Sequence, residues 1–358
     1  MSNSYTRTGT RCKRVRRDLP ITRTYLVKRI LLLFLVVLGV LVISFIITRV
    51  IPARPELLWV GLHARAEQIE RARKELRLDE PIYVQLYYYL ADFFRGNWGI
   101  SWRTRQPVIL DIITSLPATL ELTITAFTLA FIIGVILGLV AAVNYGKLAD
   151  KVISLISIIA ASIPVFWLGL VLQTVFSIWY PVLPAGMRVD PSLVIGTGFK
   201  PITNFYILDS LIQLNIPVLL DVLKRMILPV ITLMMYPLGL TIRMTRSMAI
   251  ESLQEVYAKA LEVWGLPRSK VLYKYILKNV IAPVIASLGL SFGYTVTGAL
   301  MVELIFVYPG IGYYVGMALL SFDYPAILGG IVFVAVIYSL VNLIVDIIHA
   351  WIDPRVKF

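Results

Sequence analysis

The stretch Gly289-Leu290-Ser291-Phe292-Gly293 has the G-x-S-x-G spacing that presents a nucleophilic serine on a strand-to-helix elbow. Such a serine needs a histidine base, and the sequence has two histidines, His63 and His349, neither with a second metal ligand at suitable spacing. Ser291 falls inside a long apolar run, where small residues serve close helix packing rather than hydrolysis. No phosphate-binding G-x-x-x-x-G-K-[ST] occurs, because Gly146-Lys147 is followed by Leu148. The single cysteine, Cys12, rules out an intrachain disulfide and a cysteine-based metal cluster. No catalytic residue, metal site or cofactor is therefore expected in this chain.

Two sets of charged residues remain. Lys259, Glu262, Arg268, Lys270, Lys274 and Lys278 crowd a short stretch between apolar runs at 226–248 and 280–307, and a segment so charged cannot lie in lipid. The others lie near the ends of apolar runs: the carboxylates Glu121, Glu303 and Asp346, and the pair Arg243 and Arg246, three apart on one helix face. For that arginine pair, snorkelling to headgroups and contact with a partner protein stand equal.

The elements that carry these residues follow from hydropathy. Of the 358 residues 58% are hydrophobic, against roughly 45–50% in soluble domains, and the mean hydropathy is +0.81. An all-α integral membrane protein is expected. Apolar runs able to cross about 30 Å of hydrocarbon occur at 25–51, 116–143, 152–180, 226–248, 280–307 and 326–351, giving six transmembrane helices. The first is too long for the apolar part of a secretory signal and lacks a small-residue cleavage site. The net charge of +13 does not point to nucleic acid, since Arg7, Arg11, Lys13, Arg14, Arg16 and Arg17 crowd one flank of the first apolar run, as anionic headgroups favour.

Lys147 and Lys151 mark the second loop, Arg243 to Lys278 the fourth, and Arg355 and Lys357 the tail, whereas 308–325 has no Lys or Arg. Both termini and those two loops are therefore expected on the cytoplasmic side of the plasma membrane. The expected organisation is a basic cytoplasmic tail (1–24), a first span (25–51), an extracellular helical segment (52–115), a five-helix core (116–351) and a cytoplasmic tail (352–358). Within the core lie an extracellular loop (181–225) and a cytoplasmic charged segment (249–279). The outer segment reads as a charged helix over 58–78, with Glu67 before Arg71 and Glu70 before Lys74, then an aromatic helix from Asp79-Glu80-Pro81 to Phe94. Its Tyr87, Tyr88, Tyr89, Phe93 and Trp98 fit an interfacial belt with packing better than a carbohydrate-binding patch. Polar residues including Asp209, Asn215 and Asp221 break the semi-apolar stretch 202–223, which is expected to be an external elaboration and not a seventh span.

The charged cytoplasmic stretch reads as two short helices: 257–264, ended by Gly265 in a left-handed conformation and Pro267, and a second rising from Arg268. It resembles the cytoplasmic coupling segment, the Glu-Ala-Ala loop, of permease subunits of binding-protein-dependent ABC importers, in the form of the dipeptide and oligopeptide permease family. Tyr257, Lys259, Gly265 and Leu266 match that branch, while Glu262 and Trp264 stand where basic residues are common in it. The resemblance extends to Leu116-Pro117-Ala118-Thr119-Leu120-Glu121-Leu122, to Ser162-Ile163-Pro164-Val165-Phe166-Trp167-Leu168-Gly169, to the acidic residue and Pro-Gly-x-Gly bend at Glu303 and Pro309-Gly310-Ile311-Gly312, and to the Asp353-Pro354-Arg355 ending.

The resemblance implies a type I importer permease fold. It implies contact with the ATPase through Tyr257, Ala258, Lys259, Ala260, Leu261, Glu262, Gly265 and Leu266, and an external gate or pathway role for Glu303, Pro309, Gly310 and Gly312. Implied partners are a second permease subunit, two ABC ATPase subunits and an extracellular solute-binding protein, besides the lipid bilayer. The implied cargo is di- or oligopeptide, with oligosaccharides or nickel as alternatives. ATP hydrolysis would then belong to another chain. A secondary transporter would be expected to carry ionisable residues near the bilayer midplane, but Glu121, Glu303 and Asp346 lie nearer span ends. An exporter or a non-transport scaffold is the remaining alternative.

Overall fold

The computed structural model describes residues 23–50, 55–61 and 64–352. The basic tail with Cys12, His63 and the Asp353-Pro354-Arg355 ending lie outside the described residues, as do the side chains of Glu262, Asp346 and His349. Among the described residues the chain is helical apart from its connections and one isolated backbone pairing, Ile100 with Pro107.

The outer part comprises α1 (Arg23–Phe45), α2 (Pro55–Val60), α3 (Ala66–Glu75) and α4 (Ile82–Phe94). The charged helix expected at 58–78 is thus two pieces, broken near Gly61, whose φ is +92°. The aromatic helix starts after Pro81 as expected. Tyr89 and Phe93 pack inward, where Phe45 lies 5.7 Å from Tyr89, Phe93 stacks on Trp98 at 4.6 Å and Trp98 meets Phe333 at 6.4 Å, while Tyr83, Tyr87 and Phe94 are exposed.

The core begins with α5 (Val108–Val143), α6 (Leu148–Ser162) and α7 (Val165–Gln173). The span expected at 152–180 is not one straight helix, because α6 and the segment beginning at Val165 meet at 101°. Pro164 supplies no amide hydrogen, and the residue before a proline is driven out of the helical region; Ile163 accordingly has ψ 126°. A π-helical turn, Thr174–Trp179, prolongs α7.

Two small helices follow, α8 (Pro191–Thr197) and α9 (Tyr206–Ile212), and then α10 (Ile216–Gln254), 39 residues and about 58 Å long at 1.5 Å per residue. The stretch 202–223 therefore contains no seventh span, but its last part belongs to α10. Asn215 starts that helix, its side chain accepting from the Val218 amide at 3.3 Å, with Pro217 in the first turn. α11 (Val256–Val263) and α12 (Arg268–Lys270) make the charged stretch, and a π-helical turn, Val271–Ile276, leads into α13 (Leu277–Ile305). The loop 308–325, which has no Lys or Arg, proves to hold a ten-residue apolar helix, α14 (Ile311–Leu320), before α15 (Tyr324–Ile352).

Among the described residues four helices are long and apolar enough to cross a membrane, five if α6 and α7 with its π-helical extension count as one bent span. The remaining expected span, 226–248, lies inside α10. In lipid, apolar burial alone drives little association, so close approach must come from small residues. Along the seam of α5 and α10 a side chain at Gly134 or Gly138 would lie 2.5 Å from Cβ of Thr241 or Thr245. Five buried clusters result among the described residues, and two are the largest. The outer one joins Leu122, Leu228, Leu233, Val302 and Phe306; the inner one joins Leu139, Ala249, Val271, Ile276 and Val280.

Candidate functional site

At the inner end, α11 sits on the inner cluster by one face. Ala258 is buried, and Leu261 and Leu266 pack beside it against Val271 and Ile276. The helix ends in a Schellman turn: the Leu266 amide reaches back to the Leu261 carbonyl at 3.2 Å, with Gly265 left-handed at φ +79°. The Pro267 carbonyl accepts from Lys270 and Val271 at 2.8 and 3.2 Å, so the chain re-enters a helix at once. Asn279 at the base of α13 donates to the Tyr257 hydroxyl at 3.0 Å, which ties α11 to the membrane helix.

The eight residues assigned to coupling thus fall into two sets. Ala258, Leu261 and Leu266 anchor the segment and Gly265 turns it, while Tyr257 and Lys259 are exposed, Ala260 lies between, and Glu262 contributes its backbone to α11. The outward face also carries Val256, Val263 and Trp264, which are 80%, 84% and 77% exposed. Apolar side chains so exposed on a stretch too charged for lipid mark a contact surface. Their i, i+7, i+8 spacing was the available signal.

Beside it, Asp150 at the start of α6 receives Arg246 of α10, with Nη2 to Oδ2 at 2.9 Å, and the Gly146 amide at 3.0 Å. Arg246 therefore pairs within the chain, whereas Arg243 is exposed.

At the outer end, α13 closes with a second Schellman turn, the Tyr308 amide on the Glu303 carbonyl at 2.8 Å. Here the left-handed position is Val307, φ +51°, a conformation costly for a β-branched side chain. Other elements complete the helix end: Gln173 of α7 donates to the Ile305 carbonyl at 3.1 Å, and the Met187 amide to that of Phe306 at 2.9 Å.

The Glu303 carboxylate is fully buried and turns onto the start of α14, accepting from the amides of Gly312 at 2.7 Å and Tyr313 at 3.2 Å. A helix N-terminus is a natural seat for a carboxylate. The bend through Pro309 brings Gly310 so close that an added Cβ would lie 2.3 Å from that carboxylate, and one on Gly312 would lie 2.4 Å from Cα of Leu300. The Ile311 amide donates to Thr119 of α5 at 2.9 Å. Glu303, Gly310 and Gly312 are thus brought together, and the expected gate carboxylate is also the clasp of a bend.

One buried pair escaped sequence reasoning. Arg188, 4% exposed, forms two hydrogen bonds to Glu121 of α5, donates to the Asn204 carbonyl at 2.7 Å and lies 3.9 Å over the Tyr206 ring. The other Glu121 oxygen accepts from the Ile207 amide at 2.7 Å. Nearby, Arg225 of α10 binds Asp221 at 2.8 Å, Asp190 at 3.1 Å and the Gly186 carbonyl at 2.8 Å. Hydrogen bonds from Ser192, reinforced by the Arg225 charge, hold the Asp190 carboxyl below its ordinary pKa. The segment between α7 and α10 is therefore a cap stapled to α5 and α10.

A family model described as the inner membrane component of binding-protein-dependent transport systems matches residues 134–358, and a model for the N-terminal part of such membrane components matches residues 22–123. The chain is 40% identical over 324 residues to the probable D,D-dipeptide transport system permease protein of Escherichia coli (strain K12), covering 90% of this chain and 94% of that one. It is 37% identical over 335 residues to the dipeptide transport system permease protein of Alkalihalophilus pseudofirmus, covering 93% and 99%. It is 34% identical over 335 residues to the di/tripeptide transport system permease protein of Pseudomonas aeruginosa, covering 93% and 98%.

Proposed function

Since this chain belongs to the family of inner membrane components of binding-protein-dependent transport systems, we propose that it is one of two different permease subunits of an ABC importer, forming half of a pathway for di- or oligopeptides. A binding protein and ATPases are its partners in that system. The observation that carries the peptide reading is the 40% identity over nine-tenths of the chain to a D,D-dipeptide permease. Cargo follows from this in preference to sugar or nickel, since the other two relatives also carry peptide in their names. Purifying the assembly tests the reading: two ATPase chains should co-purify, and ATP hydrolysis should rise with binding protein loaded with dipeptide. A purified assembly without ATPase chains would end it.

In this reading the exposed face of α11, with Val256, Lys259, Val263 and Trp264, docks on an ATPase subunit. Hydrolysis stays on that subunit, and the permease moves between outward- and inward-open forms. Six spans with cytoplasmic termini place α11 inside and α14 outside. Ser269 and Ser321 are both exposed, so cysteines there, in a Cys12→Ser background, should be labelled only from inside and only from outside, respectively. Labelling of both from one side would contradict the topology.

Glu303 serves in this reading as the external gate residue, because one buried carboxylate fixes the bend between α13 and α14. Glu303→Gln keeps the shape but weakens the charge-assisted bonds to the two amides, which are roughly twice as strong as neutral ones. Maximal uptake should fall severalfold. Uptake unchanged across substrate concentrations would leave Glu303 as a structural clasp alone.

A further inference from the structure

The Gly-x-Ser-x-Gly stretch has so far no role beyond packing. In the structure Ser291 and Tyr338 are the middle residues of α13 and α15, each 29 residues long, and Tyr236 lies beside the middle of α10. These midpoints meet at a concave site of about 370 Å³, lined by Tyr236, Ser287, Ser291, Tyr294, Thr297 and Tyr338. That volume is within the range of roughly 300–1,000 Å³ usual for small-molecule sites. No Asp, Glu, Lys or Arg lines it. Gly293 makes the arrangement possible, because an added Cβ would lie 2.1 Å from the Tyr338 ring.

The hydroxyls are arranged with a common sense. Ser287 donates to the Pro283 carbonyl at 3.0 Å, Ser291 to Leu288 at 2.8 Å and Thr297 to Gly293 at 3.2 Å. Their protons are committed to the α13 backbone, which leaves oxygen lone pairs as acceptors. The rings of Tyr236 and Tyr294 lie 4.5 Å apart, and among the described residues the hydroxyls of Tyr236, Tyr294 and Tyr338 have no hydrogen-bond partner. Tyr294 and Tyr338 are 60% and 43% exposed. Tyrosines that face lipid gather at the two membrane interfaces, where the hydroxyl finds water, and not at the middle of their helices. A ring of acceptors and phenols at mid-depth fits a polar, uncharged occupant.

We propose that this site binds the main chain of a peptide in transit: the serine and threonine oxygens accept from its amide groups, the tyrosine hydroxyls donate to its carbonyls, and no fixed charge selects among its side chains. The inference rests on the importer reading above and adds to it a residue-level site and a rule of recognition, namely that passage is blind to the charge of the cargo's side chains.

The test uses the complete importer, with its partner permease, ATPases and binding protein, in vesicles. Uptake is compared for a neutral, a lysine-containing and a glutamate-containing dipeptide, each variant being scaled to the unsubstituted importer so that the binding protein's own preference cancels. Thr297 is exposed to the site. Thr297→Asp should favour the lysine peptide over the glutamate peptide by at least about tenfold, the scale of a charge pair screened nearly as strongly as in water; Thr297→Lys should reverse the preference and Thr297→Ser leave it unchanged. A merely structural role would lower all three peptides by one factor, and that result overturns the proposal. Should the charged variants fail to assemble, Thr297→Cys in a Cys12→Ser background decides. Modification by a membrane-impermeant thiol reagent in some nucleotide state, slowed by dipeptide, supports the site; inertness in every state means lipid or the partner permease covers this face, and overturns it. Absence of ATP-driven uptake of any peptide by the unsubstituted importer would instead dispose of the importer reading.

Discussion

Arg188→Met is expected to destabilise the cap between α7 and α10 by about 3–5 kcal/mol, the usual cost of leaving one member of a buried ion pair unpaired. The loss comes from Glu121: its carboxylate is 5% exposed, and without the guanidinium only the Ile207 amide answers it. Limited proteolysis should then cut within 181–215 far faster than in the unsubstituted protein. The double variant Glu121→Gln with Arg188→Met removes the stranded charge and should regain more than half of the protection. Equal susceptibility of the single and double variants would mean that the contact with the Asn204 carbonyl and Tyr206 ring, not the ion pair, holds the cap. A double-mutant cycle separates the two contributions.

That pair also shows where the sequence stops being legible. Sixty-seven positions separate Arg188 from Glu121, and no local periodicity links them. Gly265 is the opposite case: a helix stop written by glycine and then proline depends on neighbours in the chain alone, and the left-handed turn forms where expected. Pro164 lies between these extremes. A proline announces a break, but the 101° between α6 and the segment after it depends on what the two halves pack against.

The misread lengths have a common cause. Pro217 and Asp221 made 216–223 look like loop, yet they belong to the first turns of a helix longer than the hydrocarbon is thick. In 308–325 the lack of Lys and Arg was visible. The helix inside it was not, because the carboxylate seated on its first turn comes from Glu303, nine positions before the amide it binds.

Gly265→Val should uncouple transport while leaving the membrane core intact. Nothing lies within 4 Å of a Cβ added at Gly265, so the penalty is purely conformational, about 1–2 kcal/mol for an L-residue held left-handed and more for a β-branched one. The Leu266 to Leu261 hydrogen bond is then lost or strained, and α11 no longer holds Val263 and Trp264 at a fixed angle. Uptake and substrate-stimulated ATP hydrolysis should fall together by roughly tenfold, as 1.4 kcal/mol implies, with normal insertion and partner assembly. Gly146 provides the control. It too is left-handed, at φ +78°, with open space around it, but it sits in the turn at 144–147. If Gly265→Val is silent and Gly146→Val uncouples, force enters through that shorter loop and not through α11.

The continuity of α10 carries a thermodynamic consequence. A single helix bears Arg225 in the cap, Tyr236 at the central hydroxyl site and Arg246 on Asp150 beside α11. A tilt that favours one arrangement at the inner end therefore changes the shape offered at the middle. Linkage then requires symmetry: by whatever factor ATPase engagement alters the affinity of the central site for a peptide, peptide occupancy alters ATPase engagement by the same factor. An importer built on this rod can sense its cargo a second time, after the binding protein has let go.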